Sequence, residues 1–224
     1  VVSAKMLKTT KTVAAVAVGA ALLLAGLEAG YRVFVRTRWL TWGASGEEIA
    51  RVMAGDDLLP VPDILATRAV TILAGPGTIW PWLVQMGPGR AGAYTYDWIE
   101  NLLGLDEHSS DRITPQFQGL AVGDVLGLAS AGPRLQVVAL EPERALVLAS
   151  QDGKRVWSFG LYPTTGGTRL VSRNRIATPR VSWPARMFDL LVTEPGSLIM
   201  ERKMLLGIKQ RAEHSPCSCG VSDG

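Results

Sequence analysis

The chain has 224 residues, 47% of them hydrophobic, a formal net charge of +3 and an isoelectric point near 9.0, which suits one substantial core with appendages rather than several domains. Two cysteines, Cys217 and Cys219, both in the tail "HSPCSCGVSDG", exclude a disulfide framework. With His214 they supply three donors where a closed zinc site wants four, so residues 214–224 read as a disordered tail.

Positive charge is concentrated at the start: residues 1–38 hold Lys5, Lys8, Lys11, Arg32, Arg36 and Arg38 against Glu28. After a basic tail over 1–11 comes "TVAAVAVGAALLLAGLEAGY", residues 12–31. At 1.5 Å rise per residue such a helix reaches the roughly 30 Å of a bilayer's hydrocarbon. Basic residues on both sides anchor it but leave its orientation nearly undetermined. A cleaved signal peptide is the rival reading, since a basic start and an apolar stretch suit it as well. However, Ala25-Gly26-Leu27 and Leu27-Glu28-Ala29 lack a small-x-small cleavage pattern. The expectation is an uncleaved, single-pass membrane anchor in contact with the lipid bilayer, its soluble domain on the cytoplasmic side, where free thiols persist.

Residues 32–66 read as a juxtamembrane linker lying against the domain, with a short helix-capable stretch led by Ser45. Alternation in "TRAVTILAG" from Thr67 predicts a strand, and Gly75-Pro76 opens a helix over about Thr78 to Met86. The stretch "IWPWLVQMGPGRAGAYTYDWIENLLG", residues 79–104, gathers three of the seven tryptophans and a Tyr-x-Tyr pair around a glycine-rich turn. Trp80 and Trp82 sit two apart on the helix, so one packs beneath the tyrosines while the other borders a cavity. Tyr94, Tyr96 and Trp98 alternate on an extended piece, and Asp97 with Glu100 forms a capping box for the next short helix. Gly87 to Gly92 spells G-x-G-x-x-G, but it follows a helix and leads into an extended piece, which a dinucleotide site does not allow.

Five strand candidates follow: "FQGLAVGDVLGLAS", "RLQVVALEPE", "RALVLASQ", "RVWSFGLYP" and "TRLVSRNRIA", an antiparallel meander. A hairpin turned at Gly166-Gly167 puts Trp157, Phe159 and Leu161 on the same face as Leu170, Ser172 and Asn174. The other face carries Arg169, Arg173 and Arg175, the pattern of a water-facing surface. Residues 183–213 are helix formers interrupted at Pro195-Gly196, with Met200, Met204 and Ile208 at i, i+4, i+8 and Ser197 one turn earlier. Methionines of this kind serve either as core or as an adaptable ligand wall.

Strand, helices, antiparallel strands and a terminal helix make an α+β domain, residues 67–213, whose sheet covers one helix. "TIWPWLVQMG", "GRAGAYTYDWIEN", "RITPQFQGLAVGD" and "MERKMLLGIKQRAE" resemble the SRPBCC superfamily, the START, pollen-allergen and polyketide-cyclase-like proteins, most nearly its membrane-anchored bacterial members. The resemblance implies a helix-grip fold: seven antiparallel strands curved around a long C-terminal helix, the missing strand falling between Glu107 and Phe117. It also implies a cavity that takes lipids, sterols or polyketides.

On these grounds the expected ligand-binding residues are Trp82, Arg90, Tyr94, Tyr96, Trp157, Phe159, Ser172, Asn174, Met200 and Met204. The ligand is a hydrophobic small molecule, with no cofactor and no metal. Arg90 either receives an anionic head group at the cavity mouth or pairs with Glu100 or Asp97. Basic residues do not gather with the aromatics, so nucleic acid is not an expected partner. Neither G-x-S-x-G nor H-E-x-x-H occurs, and the two histidines, His108 and His214, lie in a polar loop and the tail, so triad and metal hydrolysis lack parts. A cyclase or dehydratase would need only an acid or base in the pocket. Asp97 and Asp124 are the nearest acids, yet they read as a helix cap and a turn residue.

Overall fold

Each of the six strands among the described residues overlaps one of the segments expected to form a strand. The computed structural model describes residues 18–19, 22–23, 26, 30–31, 36–87, 89–95, 109–127, 134–178 and 193–214. The chain divides into two compact units, Val1–Trp39 and Leu40–Gly224. In the first, the rings of Tyr31 and Trp39 meet edge to face at 5.8 Å. Most of the run 12–31 expected to be the anchor lies outside the described residues. Among those described, no helix is long and apolar enough to cross a membrane.

The second unit begins with a helix, α1 (Gly46–Ala50), whose N-cap Ser45 exchanges hydrogen bonds with Glu48 in a capping box. Then come β1 (Ile64–Ile72), α2 (Pro76–Val84), β2 (Val125–Gly127), β3 (Arg134–Glu141), β4 (Ala145–Ser150), β5 (Arg155–Thr164), β6 (Gly167–Ile176) and α3 (Glu194–His214). The six strands form one antiparallel sheet in the order β1-β6-β5-β4-β3-β2. Among the described residues this is one strand fewer than the seven expected. Residues 109–117 contain a 3₁₀ turn, Pro115–Phe117, and no strand, while 101–108 lie outside the described residues. The helix α2 starts two residues earlier than expected, with Pro76 at its first position, where a missing N–H costs nothing. Of the long C-terminal helix expected over 183–213, residues 183–192 lie outside the described residues.

The hairpin between β5 and β6 turns at Thr165 and Gly166, since Thr164 still pairs with Gly167. The shift from Gly166-Gly167 changes each partner by two, which preserves the faces. Phe159 therefore sits opposite Ser172, Trp157 opposite Asn174 and Leu161 opposite Leu170. Ala66, Arg68 and Val70 of β1 pair with Asn174, Ser172 and Leu170 and so share this inner face. The helix α3 lies along β1: Lys209 Nζ donates to the Thr71 carbonyl (2.7 Å), and Glu213 Oε1 accepts from the Leu73 N–H (2.7 Å). The core between them gathers Ile72, Ile79, Leu83, Val137, Leu148, Phe159, Met204, Leu205 and Ile208, all buried.

The outer face of β6 departs from expectation. Arg173 and Arg175 are buried, not water-facing, because residues 43–60 lie across them as a strap. Arg173 uses all five of its donors: Nε to Thr67 Oγ1 (3.0 Å), Nη1 to the Arg51 carbonyl and Asp56 Oδ2 (2.7 Å each), and Nη2 to the carbonyls of Glu48 (2.7 Å) and Ile49 (3.0 Å). Arg175 holds the Leu59 and Pro60 carbonyls and Asp56 Oδ1. Arg169 grips Glu48 with two bonds of 2.7 Å, and this grip, more than any other contact, holds the Glu48 carboxyl below its ordinary range. Two glycines permit the close approach. A Cβ on Gly43 (φ 71°) would fall 2.2 Å from the Ala69 carbonyl oxygen, and one on Gly55 (φ 86°) would fall 2.5 Å from Val147 Cγ1. Such φ values are ones only glycine adopts without strain. The Ala69 N–H also donates to the Trp42 carbonyl (3.1 Å), so the strap covers part of the otherwise open edge of β1.

Candidate functional site

Between the inner face and α3 lies a cavity of about 260 Å³. Ile64, Ala66, Leu126, Leu148, Trp157 and Ile176 wall it from the sheet, Met200 and Met204 from the helix, and Met86, Gly87, Ala93 and Thr95 from the loop after α2. Its polar groups are Arg68, Arg155, Asn174, Thr193, Glu194, Ser197 and Glu201.

The centre of that polar set is the buried ion pair of Arg68 with Glu201, whose residues are 1% and 7% exposed. Arg68 Nη1 donates to Glu201 Oε2, which also accepts from Asn174 Nδ2 at 3.2 Å, and Ser172 Oγ donates to Oε1 at 2.6 Å. Ser172 is itself oriented by Trp157 Nε1, which donates to its Oγ at 2.8 Å. Sheet alternation puts Arg68, Ser172 and Asn174 side by side on adjacent strands, and α3 brings Glu201 down among them. A carboxylate accepts at about four positions. Three are occupied here, by Arg68, Asn174 and Ser172.

The expected site residues separate into four groups. Trp157, Asn174, Met200 and Met204 line the cavity. Phe159 and Ser172 are buried just behind the wall, Phe159 tilted against Trp157 with centroids 4.9 Å apart. Trp82, Tyr94 and Arg90 are not among the lining residues, and Tyr96 lies outside the described residues, as do Asp97, Trp98, Glu100 and His108.

Trp82 and Tyr94 form the packed corner of the core. Their rings meet edge to face at 6.1 Å. The Tyr94 hydroxyl accepts from Gln85 Nε2 (2.9 Å) and donates to the Trp82 carbonyl (3.1 Å), and burial pushes its pKa up to about 12. Tyr94 has φ 56°, so it stands in a turn, not on the extended piece expected from the Tyr-x-Tyr spacing. Fully buried Gln85 ties the corner together, accepting at Oε1 from the Thr114 N–H (2.9 Å) and from Gln118 Nε2 (3.1 Å). Arg90 acts as a strut. Its Nη2 donates to the carbonyls of Val84 (3.0 Å) and Phe117 (2.6 Å), and its guanidinium lies 5.1 Å from the Phe117 ring. The turn from Gly87 to Gly92 closes on itself through a Gly87 to Gly92 bridge. The corner thus borders the cavity through Met86, Gly87, Ala93 and Thr95, while its aromatics face the core. Asp124 is an exposed turn residue whose Oδ2 accepts from the Ala121 N–H (2.9 Å).

Arg68, Arg155 and Glu201 were absent from the expected site. A signal existed for two of them: Arg155 has the same parity as Trp157 and Phe159, and Glu201 follows Ser197 by four residues and precedes Met204 by three. Arg68 lies in a segment where residues on both faces are buried, so alternation could not assign its direction.

No protein-family model matches the chain, and no curated protein matches it. Among solved structures it is similar to a protein from Mesorhizobium loti (21% identity over 68% of this chain and 99% of that one, TM-score 0.41). It is also similar to the Aha1 dimer from Colwellia psychrerythraea (16%, 67% and 97%, TM-score 0.40) and to a Polyketide_cyc-like protein from Corynebacterium glutamicum (16%, 65% and 89%, TM-score 0.34). At these values the likenesses carry nothing about activity or ligand.

Proposed function

We propose that the domain holds one small, largely apolar molecule between the sheet and α3, and that residues 12–31 tether it to a membrane with the domain on the cytoplasmic side. The cavity carries this reading: apolar walls from sheet, helix and loop converge with a few fixed polar groups, the usual make-up of a small-molecule site. Its volume of about 260 Å³ lies just under the roughly 300 Å³ at which drug-sized pockets begin. That space suits a compact or single-chain molecule better than a two-tailed lipid. The tether rests on the length, apolarity and basic flanks of residues 12–31.

A second reading, an enzyme of the cyclase or dehydratase kind, gains one observation, that the Glu201 carboxylate stands at the cavity wall. Binding is the better supported of the two, because Arg68, Ser172 and Asn174 occupy most of the lone pairs with which a base would take a proton. The test is mass spectrometry of an organic extract from natively purified full-length chain. A small molecule in near-stoichiometric amount is expected, and Met200→Trp, which fills the cavity, should lose it. An empty extract, together with no calorimetric binding of an uncharged apolar probe such as octanamide, would overturn the reading.

A further inference from the structure

The inner arginines are not equally served. Arg68 has Glu201, and on the outer face Arg169, Arg173 and Arg175 have Glu48, Asp56 and a row of carbonyls. Arg155 lines the same cavity from the start of β5, opposite Ile176. Among the described residues its guanidinium makes no hydrogen bond or ion pair, although only part of the residue reaches solvent. Burial lowers its pKa and the charge on Glu201 partly restores it, although the two form no ion pair. An arginine cannot shed its proton to escape this position, and a half-buried cation without a partner is costly.

We infer that Arg155 is the anchor for the acid group of the ligand, and that the cavity takes a compact or single-chain carboxylic acid, its carboxylate on the Arg155 fork and its hydrocarbon against Ile64, Leu148, Trp157 and Met200. This rests on the proposed binding function and adds the ligand's chemical class. The planar fork of guanidinium donors matches a carboxylate with two parallel bonds. The cavity's own carboxylate leaves Arg155 available, because Glu201 is held by Arg68, Ser172 and Asn174. Glu194, the other acid in the lining, has an interaction of its own.

The experiment is isothermal titration of the full chain, kept in amphipol so that no detergent competes, with octanoate and with octanamide at neutral pH. A charge-assisted pair predicts that the acid binds tighter than the amide by about tenfold or more. Arg155→Gln should reduce that preference to under about twofold, and Arg155→Lys should retain part of it. Equal affinity for acid and amide in the wild type overturns the inference and leaves the binding function standing, and this comparison needs no variant. A preference for the acid that survives in a folded Arg155→Gln protein also overturns it, since the acid would then sit elsewhere. Binding of neither probe overturns both readings.

Discussion

The pair of Arg68 and Glu201 predicts a large and specific non-additivity. Replacing Glu201 with Leu removes the carboxylate and takes the Glu201 charge away from the Arg68 guanidinium, in a residue 1% exposed. Removing one partner of a buried pair costs about 3 to 5 kcal/mol, and the loss falls on the charge left behind. In a chain of this size each kcal/mol lowers the melting temperature by about 2 to 4 °C, so a fall of about 6 to 20 °C is expected. Arg68→Met alone should be comparably harmful, since it strands the carboxylate with only Ser172 and Asn174 as its remaining donors in the network. The double variant removes both charges, and hydrophobic replacement of a buried pair is often neutral or stabilising. Here Ser172 Oγ and Asn174 Nδ2 lose an acceptor, a residual cost of about 1 to 3 kcal/mol. The double variant should therefore lie near or above either single variant, with a coupling of at least about 2 kcal/mol. Urea unfolding followed by far-UV circular dichroism measures all four proteins, provided the denaturant slope is unchanged. A single-variant cost under about 1 kcal/mol, or additive effects, would refute the reasoning, because the pair would then be behaving as a solvated one.

The strap offers a second test: Arg173→Met should cost about 3 to 5 kcal/mol, because it strips a donor from three carbonyls and one of two arginine partners from Asp56. Limited proteolysis should then cut first between residues 43 and 62, whereas unchanged protection would count against a strap held by arginine. Gly55→Ala should destabilise by about 1 to 3 kcal/mol, as its Cβ meets Val147 at 2.5 Å on a backbone with φ 86°, a loss that thermal unfolding would register. Tyr94 should titrate near pH 12, against 10.0 unperturbed. An acid whose folded pKa is raised keeps its full contribution below the unfolded value, and here about 3 kcal/mol should be lost as pH rises from 10 through 12. Unfolding across that range, compared with Tyr94→Phe, isolates the effect; identical pH profiles would contradict it.

Four residues of the cavity wall were readable by period alone. Trp157 and Asn174 follow from the hairpin's alternation, and a turn displaced from Gly166-Gly167 to Thr165-Gly166 did not matter, because it preserved the parity on which their direction depends. Met200 and Met204 follow from helical spacing. The aromatic corner was harder, because spacing says which residues are neighbours but not which side of them is hollow. Trp82 and Tyr94 turned to each other and to Gln85.

The arginines show why the rest was not legible. On a strand, an arginine at alternate positions reads as solvated, and that rule assigned Arg169, Arg173 and Arg175 to water. What buries them is a segment more than a hundred positions earlier, whose turn carbonyls need donors and whose Asp56 and Glu48 need cations; the Arg173 bonds to Glu48 and Arg51 span 125 and 122 positions. Arg68 and Glu201 repeat the case on the inner face at a separation of 133. In each instance the local pattern is that of an exposed charge, and only the distant partner makes burial affordable. Arg155 faces the cavity as Arg68 does, yet its partner is absent among the described residues, so the logic that explains the other four arginines points to a counter-charge from outside the chain's described fold. That is what ties the shape of the cavity to the carboxylic acid proposed for it.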